Sequence, residues 1–260
     1  RIVWWYSICT TNISNLLIMK KWSCVICGFQ NKKAEPIREA MFCAKCNSTW
    51  RVRATALGVM VGTGMPQSPF PELAPNWFWR GVGTSDHMAL AGALASKFDY
   101  TNSYYHRFPR LDLLNVSEDQ RKQFGFVICS DVLEHVPPPA DRALVGIADL
   151  LDDHGFAILS VPCGGRAVPT DEFYPDLASW TEHEDRVEWV DTNGNQHTDF
   201  EPEFHGGGGQ TLAFRLWGMG DFCARLMASG FKAIGEIPDN PDLGVPEIED
   251  SGMFIAYIDR

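Results

Sequence analysis

Phe124-Gly-Phe-Val-Ile-Cys-Ser-Asp-Val-Leu-Glu-His-Val-Pro137 opens a stretch that ends in Asp152-Asp-His-Gly-Phe-Ala-Ile-Leu-Ser-Val-Pro162. The apolar run at 126–129 is short and rich in β-formers, as a buried parallel strand requires. It stops at polar Ser130 and Asp131, where an open α/β sheet has its ligand crevice, outside the carboxyl ends of the strands. The spacing then predicts a helix with Leu144, Ile147, Leu150 and Leu151 on one face, closed by Gly155 as its C′ residue. Residues 156–161 read as a second buried strand, stopped by Pro162. The whole is one strand–helix–strand unit of a doubly wound sheet.

The same residues carry a likeness. Asp131-Val-Leu-Glu-His-Val136, then the Asp-His-Gly turn and Ile158-Leu-Ser-Val-Pro162, resembles the fourth and fifth strands of class I S-adenosylmethionine-dependent methyltransferases. Many members read Asp-Val-Leu-Glu-His-Val and later Ser-Val-Pro at those places. The resemblance implies an α/β, doubly wound, Rossmann-like sheet of seven strands, with S-adenosylmethionine as cofactor. It also implies a glycine-bearing turn after the first strand, where backbone approaches the cofactor's amino-acid end.

Two segments compete for that turn. Val59-Met-Val-Gly62-Thr-Gly64 has a strand-like lead, but Pro66, Pro69, Pro71 and Pro75 follow and forbid an immediate helix. Trp77-Phe-Trp-Arg-Gly81-Val-Gly83-Thr-Ser-Asp86 is preferred, since Thr84, Ser85 or Asp86 can cap a helix through Met88, Leu90, Leu94 and Phe98. Residues 98–105, 110–114 and 126–129 then supply strands two to four. Gly81, Gly83 and Ser85 are therefore the expected cofactor turn. It lacks a third glycine, and Arg80 stands where the family often has an acidic residue. Strand two usually ends in Asp or Glu to hold the ribose; here Asn102 takes that place without the charge. Asp112 matches the family position for the adenine amino group, with a loop-capping role as the alternative. Ser130, Asp131 and Val132 are expected to line the pocket. A likeness to a bacterial methyltransferase subgroup covers residues 22–260, at the level of pattern: cysteine knuckles, Gly-x-Gly-x-Ser-Asp, Phe98-Asp-Tyr-Thr-Asn-x-Tyr-Tyr-His106 and Leu111-Asp112.

Upstream, Cys24-Val-Ile-Cys27-Gly28 and Cys43-Ala-Lys-Cys46 offer four thiolates from two tight turns. Tetrahedral Zn²⁺ accepts that set, and a four-thiolate site keeps no open position, so the zinc is read as structural. About thirty residues cannot bury a core of their own, and metal supplies the missing folding energy. The expected division is a non-native or disordered leader at 1–18, a zinc ribbon at 19–53 and a methyltransferase domain at 54–260, with an insertion at about 163–209.

Of 260 residues, 45% are apolar and 12% aromatic, which suffices for a packed core and argues against global disorder. Net charge is −11, yet residues 20–53 hold eight Lys/Arg against Glu35 and Glu39. That segment carries +6, and the remainder −17. The acidic bulk disfavours a broad nucleic-acid track or an anionic membrane partner, while the basic module leaves RNA open as a less favoured substrate. Paired cysteine knuckles and strand cysteines suit a reducing, cytoplasmic setting rather than a disulfide scaffold. Oligomeric state is not legible.

Methyl transfer from a sulfonium is an in-line displacement, so alignment matters most, with a base where the nucleophile carries a proton. His135 follows the fourth strand and suits that role at neutral pH; packing on the Pro137–Pro139 turn is its alternative. Glu134 is a weaker candidate. Asn193-Gly194 marks a hairpin between 187–191 and 197–204, in the place where the family puts substrate-specific insertions. His205, ahead of the Gly206–Gly209 run, is a second histidine with access to the crevice. A helix at 220–229 and strands at 231–237 and 252–258 complete the expected order. The favoured substrate is a small or carrier-linked metabolite such as a sugar. The competing readings are RNA methylation and a non-catalytic zinc-bearing binding protein.

Overall fold

The computed structural model of the chain describes residues 21–32, 41–205 and 211–259. The expected leader at 1–18 and the Gly206–Gly209 run lie outside them. In chain order come β1 (Trp22–Ser23), β2 (Gln30–Asn31), α1 (Trp50–Thr63), β3 (Arg80–Thr84), α2 (Met88–Ala95), β4 (Asp99–Ser103), β5 (Phe124–Ser130), α3 (Asp141–Leu150) and β6 (Leu151–Ser160). An insertion follows, with β7 (Asp171–Glu172), β8 (Leu177–Glu182), β9 (Val187–Asp191), β10 (Gln196–Asp199), β11 (Phe204–His205), β12 (Thr211–Leu212) and β13 (Arg215–Leu216). The chain closes with α4 (Met219–Ala228), β14 (Ala233–Glu236) and β15 (Met253–Tyr257).

Six strands form the central sheet in the order β14-β15-β6-β5-β3-β4. β3 to β6 run parallel, and β15 lies antiparallel between β14 and β6. This is a Rossmann-like, doubly wound sheet with the inverted closing strand that the sequence led us to expect. Alternate residues divide its two faces, as the period of two dictates. Phe126, Ile128, Phe156, Ile158 and Ile255 face α1 and α2, while Val127, Cys129, Ala157, Leu159 and Phe254 face α3 and α4. Leu144, Ile147 and Leu150 of α3 are fully buried, each stabilising the docking by ~1.5–3 kcal/mol.

The seventh strand is reduced to a single parallel bridge, Tyr104 with Arg110, at the free edge of β4. Pairing cannot extend further for two local reasons. Pro109 has no N–H to give, and Asp112 turns the chain by accepting from the Leu114 N–H at 3.0 Å.

Other expectations are corrected. Gly155 does not end α3: the helix stops at Leu150, and Gly155 lies inside β6, which starts early at Leu151. The cap of α2 is His87, whose ring accepts from the Ala89 N–H, because Asp86 is turned inward and buried. Residues 59–64, read as having a strand-like lead, are the end of helix α1, with Gly64 as its left-handed C-cap. The hairpin about Gly194 is present, but β8 adds a third antiparallel strand.

The cysteine knuckles are not a separate bead. Trp22, Cys24, Val25, Ile26, Met41 and Cys43 join the same buried cluster as α1 and the sheet. Arg53 of α1, fully buried, donates to the Met41 and Gly244 carbonyls at 2.8 Å each and to the Ser48 carbonyl, and stacks over Trp22. α1 runs through the expected boundary at 53/54.

Candidate functional site

Gly81 and Gly83 lie within β3, not in a turn after it, and this corrects the sequence reading. Each is paired on both sides, Gly81 with Tyr100 and Phe126 and Gly83 with Asn102 and Ile128. A Cβ on Gly81 would collide with the Phe126 ring, and one on Gly83 with the Asp86 carboxylate and the Tyr100 hydroxyl. The two glycines make room for side chains of the sheet. The turn proper begins at Ser85, exposed and left-handed with φ 65°, its N–H donating to the Ser103 carbonyl at 2.8 Å.

Asn102, the expected ribose acceptor, brackets the Asp86 peptide instead. Its Oδ1 accepts from the Asp86 N–H at 2.9 Å and its Nδ2 donates to the Asp86 carbonyl at 3.0 Å. Asp86 itself takes a hydrogen bond from Tyr100, and burial still lifts its carboxyl to about 7. The sequence reading gave Asp86 only a capping role. Asp112 also spends both oxygens locally, on Leu114 N–H and on the Asn115 amide at 3.1 Å.

The chain leaves β3 for β4 on one side and returns to β5 on the other, so the topological switch point lies at the carboxyl ends of β3 and β5. Ser130 and Ser160, opposite one another in the β5–β6 register, share a hydrogen bond of 2.7 Å. Ser160 donates on to Asp131 at 2.8 Å, and the Asp131 N–H donates to the Ser160 carbonyl at 2.9 Å. Asp131 adopts a left-handed conformation, φ 50°, which turns the chain sharply off the strand end. Its other oxygen is ion-paired with Arg51, from the first turn of α1. Arg51 was read only as part of a basic segment, and Ser160 only as strand; distance along the chain concealed both. Val132 leads into one turn of 3₁₀ helix, Leu133–His135.

That turn delivers a second polar group. His135 and His205 meet edge to face, ring centres 4.9 Å apart, beside the buried Glu134. The His135 Nδ1–H donates to the Leu212 carbonyl at 2.8 Å, so in the neutral ring Nε2 is the acceptor nitrogen. Glu134 holds the His205 imidazolium above its ordinary range, against partial burial. The turn is locked from below by Arg215, which donates to the Leu133 and Val136 carbonyls at 2.7 and 2.6 Å, and by the Phe214 N–H on the Glu134 carbonyl. The two histidines named from sequence are thus brought together; Gly81 and Gly83 are not in the crevice.

At the other end, the four cysteine sulfurs face one another. Cys24 and Cys46 are 3.7 Å apart and Cys27 and Cys43 3.6 Å, with all four within 4.8 Å. A tetrahedron of thiolates at ~2.3 Å from one Zn²⁺ has edges of roughly 3.8 Å, so the set fits that ion. Gly28 and Asn47 take the same left-handed conformation after the second cysteine of each knuckle, with φ 72° and 58°.

No protein-family model and no curated protein matches the sequence. Among solved structures, the chain is similar to a sugar N-methyltransferase from Streptoalloteichus sp, at 12% identity and TM-score 0.45, over 82% of this chain and 89% of that one. An S-adenosylmethionine-bound amino pentose methyltransferase from Micromonospora echinaspora matches at 14% identity and TM-score 0.43, over 81% and 92%. A Burkholderia thailandensis 1,6-didemethyltoxoflavin-N1-methyltransferase matches at 12% and 0.42, over 80% and 77%. No helix among the described residues is long and apolar enough to cross a membrane.

Proposed function

We propose that this chain transfers a methyl group from S-adenosylmethionine to a small or carrier-linked metabolite. The observation that carries the reading is the rim at the β3–β5 switch point, where Asp131, Ser130, Ser160 and Arg51 bring an acid, two hydroxyls and a guanidinium side by side. A cofactor bearing an amino-acid zwitterion needs one acceptor for its ammonium and one donor for its carboxylate. Asp131 and Arg51 are such a pair, already at the strand ends. Ser130 and Ser160 steady Asp131 through a chain of hydrogen bonds, and the Ser85 turn exposes backbone for close approach. Asn102 holds that turn in shape through Asp86 rather than binding ribose. Gly81 and Gly83 act on the site only by letting Asp86 and Tyr100 pack beneath the turn, and Asp112 only by shaping its own loop.

The cofactor supplies the electrophilic methyl. The protein's part is orientation, exclusion of water and removal of a proton from the acceptor. His135, whose neutral tautomer the Leu212 carbonyl fixes with Nε2 as acceptor, is placed to take that proton, with His205 beside it. The zinc is structural, since the cysteine knuckles are built into the core and offer no open coordination position. The insertion, 171–216, with its own small core of Tyr174, Val187, Leu212 and Phe214, brings His205 to the rim and is the part that selects the acceptor. The reading places the protein in the cytoplasm.

Calorimetric titration with S-adenosylhomocysteine tests the proposal. Saturable binding at one site per chain is expected, abolished or weakened at least tenfold by Asp131→Ala with zinc content unchanged. No heat and no thermal shift at saturating cofactor would leave a zinc-bearing binding protein. Binding of RNA that falls steeply with salt would redirect the substrate to nucleic acid.

A further inference from the structure

We propose that Glu134, His135 and His205 form a second metal site, for one divalent first-row cation, separate from the four cysteines. Their ligand atoms lie within 4.8 Å of one another. The Glu134 Oε1 stands 3.8 Å from the His135 Nε2 and 3.7 Å from the His205 Nδ1. Those separations are too long for hydrogen bonds. Two ligands on one ion at about 2.1 Å stand roughly 3.0–3.6 Å apart, so Glu134 closes on each histidine by a few tenths of an ångström, and the two histidine nitrogens, within 4.8 Å of one another, draw in on the ion with it.

Three further observations point the same way. Glu134 is 1% exposed, and its Oε2 has no hydrogen-bond partner, a desolvation cost that a bound cation would offset. His135 has its far nitrogen hydrogen-bonded to an oxygen, as metal-bound imidazoles do, its Nδ1–H donating to the Leu212 carbonyl at 2.8 Å. The charge is also right. Arg51 at this rim is neutralised by Asp131, so Glu134 and Glu203 leave the site acidic.

One carboxylate and two imidazoles suit Mn²⁺, Fe²⁺, Co²⁺ or Zn²⁺ and leave positions open to water or to an oxygen of a ligand. Ion binding stands whether or not the chain transfers methyl groups. If it does, His135 and His205 serve as ligands rather than as the base, and the ion, as a Lewis acid, would acidify an acceptor hydroxyl.

Protein loaded with one zinc per chain is titrated with MnCl₂ and followed by electron paramagnetic resonance. Mn²⁺ is the weakest competitor in the divalent series and does not displace zinc from thiolates. The expected result is one saturable Mn²⁺ per chain, weakened at least tenfold by His205→Ala and by Glu134→Gln at unchanged zinc content and circular dichroism. Should Glu134→Gln fail to fold, the partly exposed His205→Ala decides alone. An undiminished aqueous Mn²⁺ signal in the native protein would overturn the proposal, as would equal binding by His205→Ala.

Discussion

Arg51, one residue into α1, is ion-paired with Asp131, the first residue beyond β5. The pair ties the helix that follows the cysteine knuckles to the rim of the sheet. Both side chains are mostly buried, at 20% and 24% exposed, so water screens them weakly. Arg51→Ala is expected to lower cofactor affinity about tenfold, or ~1.4 kcal/mol, with zinc content intact. Isothermal titration of the variant checks this. Unchanged affinity would remove the guanidinium from the binding rim.

Zinc removal should weaken the whole fold rather than one end. The knuckle residues share a core with the sheet, and Arg53 gathers carbonyls from Met41, Ser48 and Gly244. Chelation is expected to lower a single cooperative melting transition. Arg53→Ala, which leaves the Met41 and Gly244 carbonyls unpaired while the Ser48 carbonyl keeps the Cys43 N–H, should cost about 3 kcal/mol or more. Two separate transitions by circular dichroism would show the knuckles to be an independent unit.

Asp86 makes stability depend on pH in an unusual direction. Its folded carboxyl lies near 7 against an ordinary 3.8, so the folded state favours the protonated form. That contribution is full below pH ~4 and lost as pH rises through 7, up to ~4 kcal/mol. Asp86→Asn keeps the shape without the charge. Its melting temperature should change far less between pH 4.5 and 8 than that of the native protein, and exceed it at pH 8. Parallel pH profiles would refute the assignment.

Gly83→Ala forces a methyl group into the Asp86–Tyr100 pair and should destabilise by ~1–3 kcal/mol. Gly92→Ala is the contrast. Nothing lies within 4 Å of its added carbon, in the middle of α2, so the change should stabilise by ~0.5–1 kcal/mol. Denaturant unfolding of the two variants measures the difference.

The sheet was legible because its parallel strands carry continuous apolar runs with abrupt polar ends, as at residues 126–131. The knuckles were legible because four thiolates at that spacing have few other uses. What escaped had a physical cause in each case. α1 is crowded with β-branched Val52, Thr55, Val59 and Val61, which mimic a strand. Gly81 and Gly83 looked like a turn because sequence cannot tell a glycine that bends backbone from one that admits a neighbour's ring. Asn102 and Asp112 were placed by analogy, while their side chains are held by neighbouring loop groups. His135 and His205 were found separately; their meeting depends on the insertion folding back through Leu212 and Phe214.

The bond from Arg53 to the Gly244 carbonyl links residues 191 positions apart. Synthesis must therefore deliver the region near Gly244 before the cysteine knuckles reach their final packing. Until then the cysteine knuckles of a nascent chain lack the packing that Arg53 completes, and a premature stop upstream of that point would leave them vulnerable to proteases.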